Sequence, residues 1–493
     1  MAPTWLFAAD RGGTFTDLVG IDPNGAVHSR KLRSISPAYD DAVVAGVREL
    51  LQVPQGEPIP AEQISTIRIG TTVATNALLE RKGEVTGLLI TTGFADLLEI
   101  GTQARPDIFA LAIEKPIQLY QQVGEVSERI DAQGQPVIAL NEAQVIEQLQ
   151  QWRATGIRAI AIALMHSWIN PAHELRVGQL ARDAGFTQVS LSHQCMRVIK
   201  LVNRAQTSLV DAYLSPVLMR YVDRLKSGLG KVNLEFMQSS GGLADATAFS
   251  GKEAVLSGPA GGVVAVAGHA NQHSQLIGFD MGGTSTDVCR FGGNYEYRHE
   301  VTTAGIAYHA NMLQIETVAA GGGSILGFDG QRMTVGPESA GADPGPVCYD
   351  QGGPLTITDA NLVLGRLLPE TFPRQFGPDH RGAINPEASR RALAQRAAQI
   401  NRATGQTLTA EAVAQGYIDI ANQQMAKPIR SVSVARGYDL RDHALVSFGG
   451  AGGLHASELA TLLGIDSVLI HPLAGIYSAW GIANAKQRHQ REM

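Results

Sequence analysis

From Thr4 to Arg33 the chain alternates short apolar runs with turn formers: TWLFAAD, then DLVGID and, beyond PNG, AVHSRKL. Such runs, punctuated by Gly, Asp, Asn and Pro, fit a half-buried sheet, so residues 5 to 33 are expected to form a three-stranded meander. PAYDDAVVAGVRELL repeats its apolar positions at helical spacing. IRIGTT then reads as a strand, VATNALLERKG as a helix closed by Gly83, and TGLLIT as a further strand. The predicted order is β-β-β-α-β-α-β.

From Leu140 an amphipathic helix (NEAQVIEQLQQWRATG) leads into the buried strand RAIAIALM, the helix NPAHELRVGQLARDAG and the strand QVSLSHQ. Helices alternating with apolar strands indicate an α/β protein throughout. A long helix is expected over roughly 205–229, followed by LEFMQSSGG, a strand-like EAVLSG and a helix of small residues in PAGGVVAVAGHA. Residues 294 to 360 read as an irregular Gly- and Pro-rich region, and long ordered loops of that kind tend to carry function. Helices covering 387 to 425, the strand ALVSF, the turn GGAGG and a helix from His455 make a second α/β unit, after which a basic tail, KQRHQREM, remains.

Length and composition narrow the function classes. A chain of 493 residues exceeds one ordinary core, so two or three domains are expected. The net charge of -6 and the pI near 6.1, with no basic stripe interleaved with aromatics, argue against a nucleic-acid binder. Cys195, Cys289 and Cys348 are too few for a disulfide framework and too far apart for a CxxC pair, which fits inert thiols in a reducing cytosol. No stretch has signal-peptide architecture or the length of a membrane span, and a soluble cytoplasmic protein is the expectation. The 54 glycines fall in clusters, GGT, GPAGG, AAGGGS and FGGAGG, rather than in a repeat.

One of those clusters occurs twice. FAADRGGTFTDLVGID at residues 7–22 returns as IGFDMGGTSTDVCRFG at 277–292, and six of the eight positions from Asp10 to Asp17 recur at Asp280 to Asp287. In each copy an apolar strand ends in Asp, and x-Gly-Gly-Thr-x-Thr-Asp turns the chain into a second strand. Adjacent glycines let backbone N–H groups approach an oxyanion, and the threonine hydroxyls add donors, which makes an anion nest suited to phosphate. The leading Asp suits a hydrated divalent cation beside it. A single copy is equally a good tight hairpin. Two copies, each opening an α/β unit, point to paired jaws on one polyphosphate. The P-loop, HExxH and GxSxG patterns are absent, as is a Rossmann fingerprint after the first strand.

Two such hairpins in order, a small-residue helix before the second and the GGAGG turn near the end resemble the actin, sugar kinase and heat-shock ATPase superfamily. The resemblance implies two actin-like (ribonuclease H-like) α/β lobes with an ATP cleft between them: residues 1–274, with an N-terminal part to about 185, and residues 275–475, followed by a truncated crossing helix or tail at 476–493. Ser257 to Ala270 would be the first crossing helix and Tyr477 to Gln490 the second. On this basis Gly12, Gly13, Thr14, Thr16, Gly282, Gly283 and Thr284 hold phosphates. Asp10 and Asp280 position Mg²⁺ and water, and Gly449, Gly450, Gly452 and Gly453 flank the adenosine. Asp17 and Asp287 are read as turn caps, and Glu338, Asp343 and Asp359 as loop caps rather than ligands of a second cation. His455, in the first turn of its helix, is read as structural.

Further stretches, IGTTVATNALLERKG, IGTQARPDIFALAI, ETVAAGGGSI, VGPESAGADPGPVCY and TDANLVLGRL, resemble the hydantoinase A and 5-oxoprolinase family over nearly the whole chain. The run GTQARPDIF followed by KPIQLYQQVGEVSERID is most similar to ATP-dependent 5-oxoprolinases. That resemblance implies phosphorylation of a resonance-stabilised lactam oxygen by ATP, followed by ring opening to glutamate. A substrate carboxylate calls for Arg, and Arg105 in TQARPD and Arg81 in LLERKG lie in the first lobe; for Arg81 a solvated surface role is an equal reading. Asn76 is either a substrate donor or part of a helix's first turns. The competing functions are an ATP-dependent hydantoinase or ketone carboxylase subunit and, in another class, a non-catalytic actin-like ATP-binding module.

The family resemblance also implies a hydantoinase B-like subunit or domain as partner and an oligomeric assembly. Near the middle of the second crossing helix, where an acidic residue is expected, this chain has Lys486 before a basic, polar run. The expectation is therefore a chain that binds ATP and needs its partner for ring opening.

Overall fold

The computed structural model describes residues 4–103, 108–112, 115, 117–372, 374, 376–377 and 381–488. Contacts divide the chain into two compact units. The first comprises Met1–Ala260, Tyr297–Leu313 and Ala485–Met493, and the second Gly261–Glu296 with Gln314–Asn484. The hairpin at 297–313 thus joins the first unit, although sequence order would place it in the second.

In the first unit the strands Trp5–Arg11, Phe15–Ile21 and Val27–Arg33 form the expected meander. Trp5–Arg11 also pairs in parallel with Ile64–Thr71, which pairs in parallel with Leu234–Met237, and Leu243–Asp245 closes the six-stranded sheet. A meander feeding parallel strands is the ribonuclease H-like, actin-like arrangement. The helix Ala42–Leu51 covers one face; Asp41 starts it from extended backbone, its carboxylate accepting from the Val43 N–H at 2.8 Å. A second sheet orders Gln188–Leu191, Ala159–Ala163, Thr86–Thr91 and Tyr120–Val126, all parallel. Ala159–Ala163 is buried along its whole length, as a strand covered on both faces must be. The helix Leu201–Leu229 packs between these elements with sixteen buried positions, enough packing to hold it together through Pro216.

The second unit repeats the plan. Leu276–Met281 and Thr286–Phe291 form an antiparallel hairpin, and Ala444–Phe448 and Ser467–Leu469 extend the sheet in parallel beyond Leu276–Met281. The helices Pro386–Thr404 and Ala410–Val432 bury Leu393, Ile400, Tyr417 and Met425 in the core beneath it.

Three expectations fail locally. EAVLSG is no strand: its Glu253 ends the 3-10 turn Gly251–Glu253 and its Ser257 and Gly258 already belong to the helix Ser257–Ala267, which leaves three residues between the two. The region 294 to 360 carries five strands, Tyr297–Thr303, Ile306–Leu313, Ile315–Val318, Ser324–Phe328 and Met333–Ser339. Its glycines obscured short alternating strands such as Ile306–Leu313. The helix expected from Tyr477 to Gln490 ends at Asn484. The chain then runs extended beside Leu243, whose N–H donates to the Lys486 carbonyl at 3.1 Å, and edge-strand pairing there replaces a further helical turn.

Candidate functional site

Each unit presents its hairpin tip in the same way. Asp10 faces Asp17 across the first hairpin and Asp280 faces Asp287 across the second. The tips are closed by equivalent bonds, Gly12 N–H to the Phe15 carbonyl and Gly282 N–H to the Ser285 carbonyl, both 3.0 Å. Gly13, Thr14, Gly283 and Thr284 are exposed, whereas Thr16 and Thr286 are buried. A buried threonine after an exposed Gly-Gly-Thr anchors the tip: Thr16 shares a 3.0 Å bond with Ser34, which donates to the Gly12 carbonyl at 2.6 Å. Thr286 donates to the Ala320 carbonyl at 2.6 Å. The side chain of Thr16 therefore serves the tip from within, leaving Thr14 as the hydroxyl turned to solvent.

The leading aspartates lie against glycine backbone. A Cβ on Gly258, at the start of the helix Ser257–Ala267, would stand 2.6 Å from Oδ1 of Asp10. A Cβ on Gly449 would collide with Oδ1 of Asp280 and stand 2.5 Å from the Met281 carbonyl, and Ser478 donates to Asp280 Oδ2 at 3.4 Å. Gly449 has φ +82, a conformation that costs glycine nothing and strains other residues. The turn it begins is held by Ala451 N–H on the Met281 carbonyl at 2.9 Å, while Gly450 and Gly453 face open space and Gly452 is packed on Ser447.

The AAGGGS run, marked in the sequence as a glycine cluster and as part of the family resemblance but given no role there, buttresses the second tip. Gly322 N–H donates to the Gly282 carbonyl at 3.1 Å and Gly323 N–H to the Gly283 carbonyl at 2.7 Å. A Cβ on Gly321 would meet the Gly283 carbonyl carbon at 2.7 Å. Ser34, Ser478 and Gly258, the first glycine of GPAGG, likewise support the site, and no motif in the sequence marks the two serines.

The candidate substrate residues separate. Asn76 lies beside the first tip: its amide nitrogen is 3.5 Å from where a Gly13 Cβ would be, and it donates to Thr72 Oγ1 at 3.3 Å. Arg81 is engaged elsewhere, donating to the Ala304 carbonyl at 2.8 Å from a backbone with φ +55. Arg105 lies outside the described residues. Asp17 and Asp287 pair across the sheet instead of capping their turns, Asp17 accepting from Lys31 Nζ and Asp287 from the Thr317 hydroxyl, each at 2.6 Å. Burial raises both carboxyl pKa values above the usual aspartate range, and for Asp17 the Lys31 charge works against that rise. A turn cap would have bonded backbone N–H groups, and these two carboxylates reach side chains directly opposite on the neighbouring strands instead.

Asp359 does cap: it accepts from the N–H groups of Val347, Cys348 and Thr356 and from the Ser389 hydroxyl. Burial pushes the thiols of Cys195, Cys289 and Cys348 upward, keeping them protonated and inert. Among the described residues no group of three or more His, Cys, Asp or Glu side chains is arranged to hold a metal by itself, and no helix is long and apolar enough to cross a membrane. A site of one or two carboxylates fits Mg²⁺, which keeps several waters and takes further ligands from substrate phosphates.

Residues 6–185 match the hydantoinase/oxoprolinase N-terminal region and residues 204–491 match hydantoinase/oxoprolinase. The chain is 45% identical to 5-oxoprolinase of Saccharomyces cerevisiae over 519 aligned positions, covering 96% of this chain and 40% of that protein. It therefore spans about 40% of the length of such curated relatives. The crystal structure of ATP-dependent caprolactamase from Pseudomonas jessenii superposes with a TM-score of 0.81 at 34% identity, covering 97% of this chain and 70% of that one. Nucleotide-free acetone carboxylase gives 0.77 at 26% identity, with the same coverage.

Proposed function

Because the chain belongs to the hydantoinase/oxoprolinase family, we propose that it is the ATP-using half of a cyclic-amide hydrolase that opens 5-oxo-L-proline to L-glutamate. The observation that carries the ATP-using role is the duplicated tip: an exposed Gly-Gly-Thr with an aspartate at its base, once in each unit. Identity of 45% to 5-oxoprolinases against 34% to the caprolactamase favours the five-membered lactam.

A lactam resists water because its nitrogen lone pair delocalises onto the carbonyl oxygen. Transfer of the γ-phosphoryl group to that oxygen removes the delocalisation and makes the ring carbon electrophilic. Water then attacks this carbon and the C–N bond breaks as the nitrogen takes up a proton, which leaves an acyl phosphate; a second water displaces inorganic phosphate from it and gives the open-chain carboxylate. Phosphoryl transfer asks for in-line positioning and charge stabilisation more than for covalent help. Gly13, Thr14, Gly283 and Thr284 would offer backbone and hydroxyl donors to the phosphate oxygens, while the N–H groups of Gly12 and Gly282 are spent on closing the tips, and Gly450 and Gly453 of the GGAGG turn, which face open space, would lie against the nucleoside. Asp10 and Asp280 would hold Mg²⁺ through its waters, and the bound ion would neutralise phosphate charge. Arg105 would read the substrate carboxylate, with Asn76 beside the first tip.

The likeness to the caprolactamase and acetone carboxylase structures favours a second reading, in which the same phosphorylation acts on another carbonyl compound. ATP turnover measured in parallel with 5-oxoproline, a hydantoin, caprolactam and acetone separates the two. Stimulation by 5-oxoproline alone supports the proposal, and stimulation by any other compound in its place defeats it.

A further inference from the structure

Behind the GGAGG turn runs a polar chain, buried at His455, Asn361 and Asn422 and partly exposed at Glu458, with a defined direction. Glu458 accepts from Arg366 and from Asn422 Nδ2, the latter at 2.7 Å, so Asn422 turns its Oδ1 toward His455 and accepts from Nδ1 there at 2.8 Å. A neutral imidazole protonated at Nδ1 keeps only a lone pair at Nε2. Nδ2 of Asn361 donates to that lone pair at 3.1 Å. Burial pushes the His455 pKa down to about 4, which keeps the ring neutral. Each group thus fixes the next, and the set has one hydrogen-bond arrangement.

Two members of this chain, His455 and Asn361, tie it to the two loops assigned to the nucleotide. His455 continues directly from the GGAGG turn, its N–H donating to the Gly452 carbonyl at 3.1 Å. Asn361 lies on the helix Ile357–Val363, whose Thr358 donates from both N–H and Oγ1 to the Gly322 carbonyl at 2.8 Å. Gly322 N–H in turn holds the Gly282 carbonyl of the hairpin tip. His455, Asn361 and Asn422 are all nearly inaccessible and Asn361 Oδ1 is already buried without a partner, so a shift at either end would leave a further buried polar atom unpaired.

We propose that His455 is a positioning residue that fixes the spacing between the GGAGG turn and the second hairpin tip, so that the nucleoside and the phosphates of one ATP are gripped together. This rests on the assignment of those two loops to ATP. A spacing device affects a ligand that spans both loops and spares a ligand that uses one.

The test compares ATP with tripolyphosphate by calorimetric titration of the whole chain in Mg²⁺, using His455→Phe and, should that variant fail to fold, Asn361→Leu, which cuts only the bridge to the helix. Thermal melting establishes that the variants are folded. The expected result is an ATP dissociation constant raised at least tenfold and a tripolyphosphate constant within twofold of the parent. An ATP constant within twofold of the parent overturns the proposal, and so does an equal loss for both ligands, which marks general loosening of the tip. A parent chain that binds tripolyphosphate as tightly as ATP, or binds neither, refutes the assignment of the loops themselves and takes the proposal with it.

Discussion

Gly258 and the carboxylate of Asp10 are in contact: any side chain on Gly258 would begin 2.6 Å from Oδ1. That is inside the distance real Cβ atoms tolerate, so a methyl group moves either the helix start or the aspartate. Gly258→Ala is expected to cut ATP turnover at least tenfold while the melting temperature falls by only a few degrees, a destabilisation of about 1–2 kcal/mol. Gly450→Ala, where a Cβ meets nothing, is the control and should melt like the parent. Unchanged turnover in Gly258→Ala would show that the contact has no bearing on catalysis.

Asp10→Ala and Asp280→Ala are each expected to abolish ATP turnover in a folded protein, because the aspartate opposite each, Asp17 or Asp287, is already held by Lys31 or Thr317. Circular dichroism confirms the fold and phosphate release measures turnover. Full activity in either variant would place the ion elsewhere.

The two arginines should behave differently. Arg81→Ala removes a bond to the Ala304 carbonyl and is expected to lower stability by about 1–2 kcal/mol without raising the KM for 5-oxoproline selectively. Arg105→Ala should raise that KM by roughly tenfold to a hundredfold, the equivalent of about 1.5–3 kcal/mol, with little change in the KM for ATP. Steady-state kinetics on both variants decides; equal rises for the two substrates in Arg105→Ala would remove it from the substrate site.

His455 also sets a pH dependence. Its folded pKa is depressed to about 4 by burial, whereas an unfolded histidine titrates near about 6.5. Below that unfolded value the unfolded chain binds a proton that the folded chain refuses, so the contribution of His455 is complete above about 6.5 and is lost as pH falls toward 4. Urea midpoints should therefore drop more steeply between pH 7 and pH 5 in the parent than in His455→Phe. Parallel curves would mean that other groups govern the acid side.

The chain is expected to bind ATP unaided and to release little glutamate until a hydantoinase B-like protein is added, since it spans about 40% of the length of its 5-oxoprolinase relatives. Glutamate formation assayed with and without that protein checks this, and rapid ring opening by the chain alone would refute it.

What the sequence determined by itself is whatever depends on local order. The meander at 5–33, the second hairpin at 276–291 and the helices around 42–51 and 142–154 follow from period, caps and turn residues over a few positions, and all are present. The repeated Asp-x-Gly-Gly-Thr-x-Thr-Asp likewise exposed both tips, because adjacent glycines have little other use. Tertiary packing decided the rest. Nothing local tells that Thr16 turns inward to Ser34 while Thr14 turns out, that Asp17 takes Lys31 from the next strand, or that Arg81 is committed to Ala304, more than two hundred positions away. Short strands between glycines at 297–339 were illegible because their alternation spans only four to eight residues, and pairing with a distant partner, not propensity, stabilises them. The same holds for Gly258, Ser478 and the GGGS buttress: a glycine's purpose is set by the atom it lets approach, and only the folded chain brings that atom near.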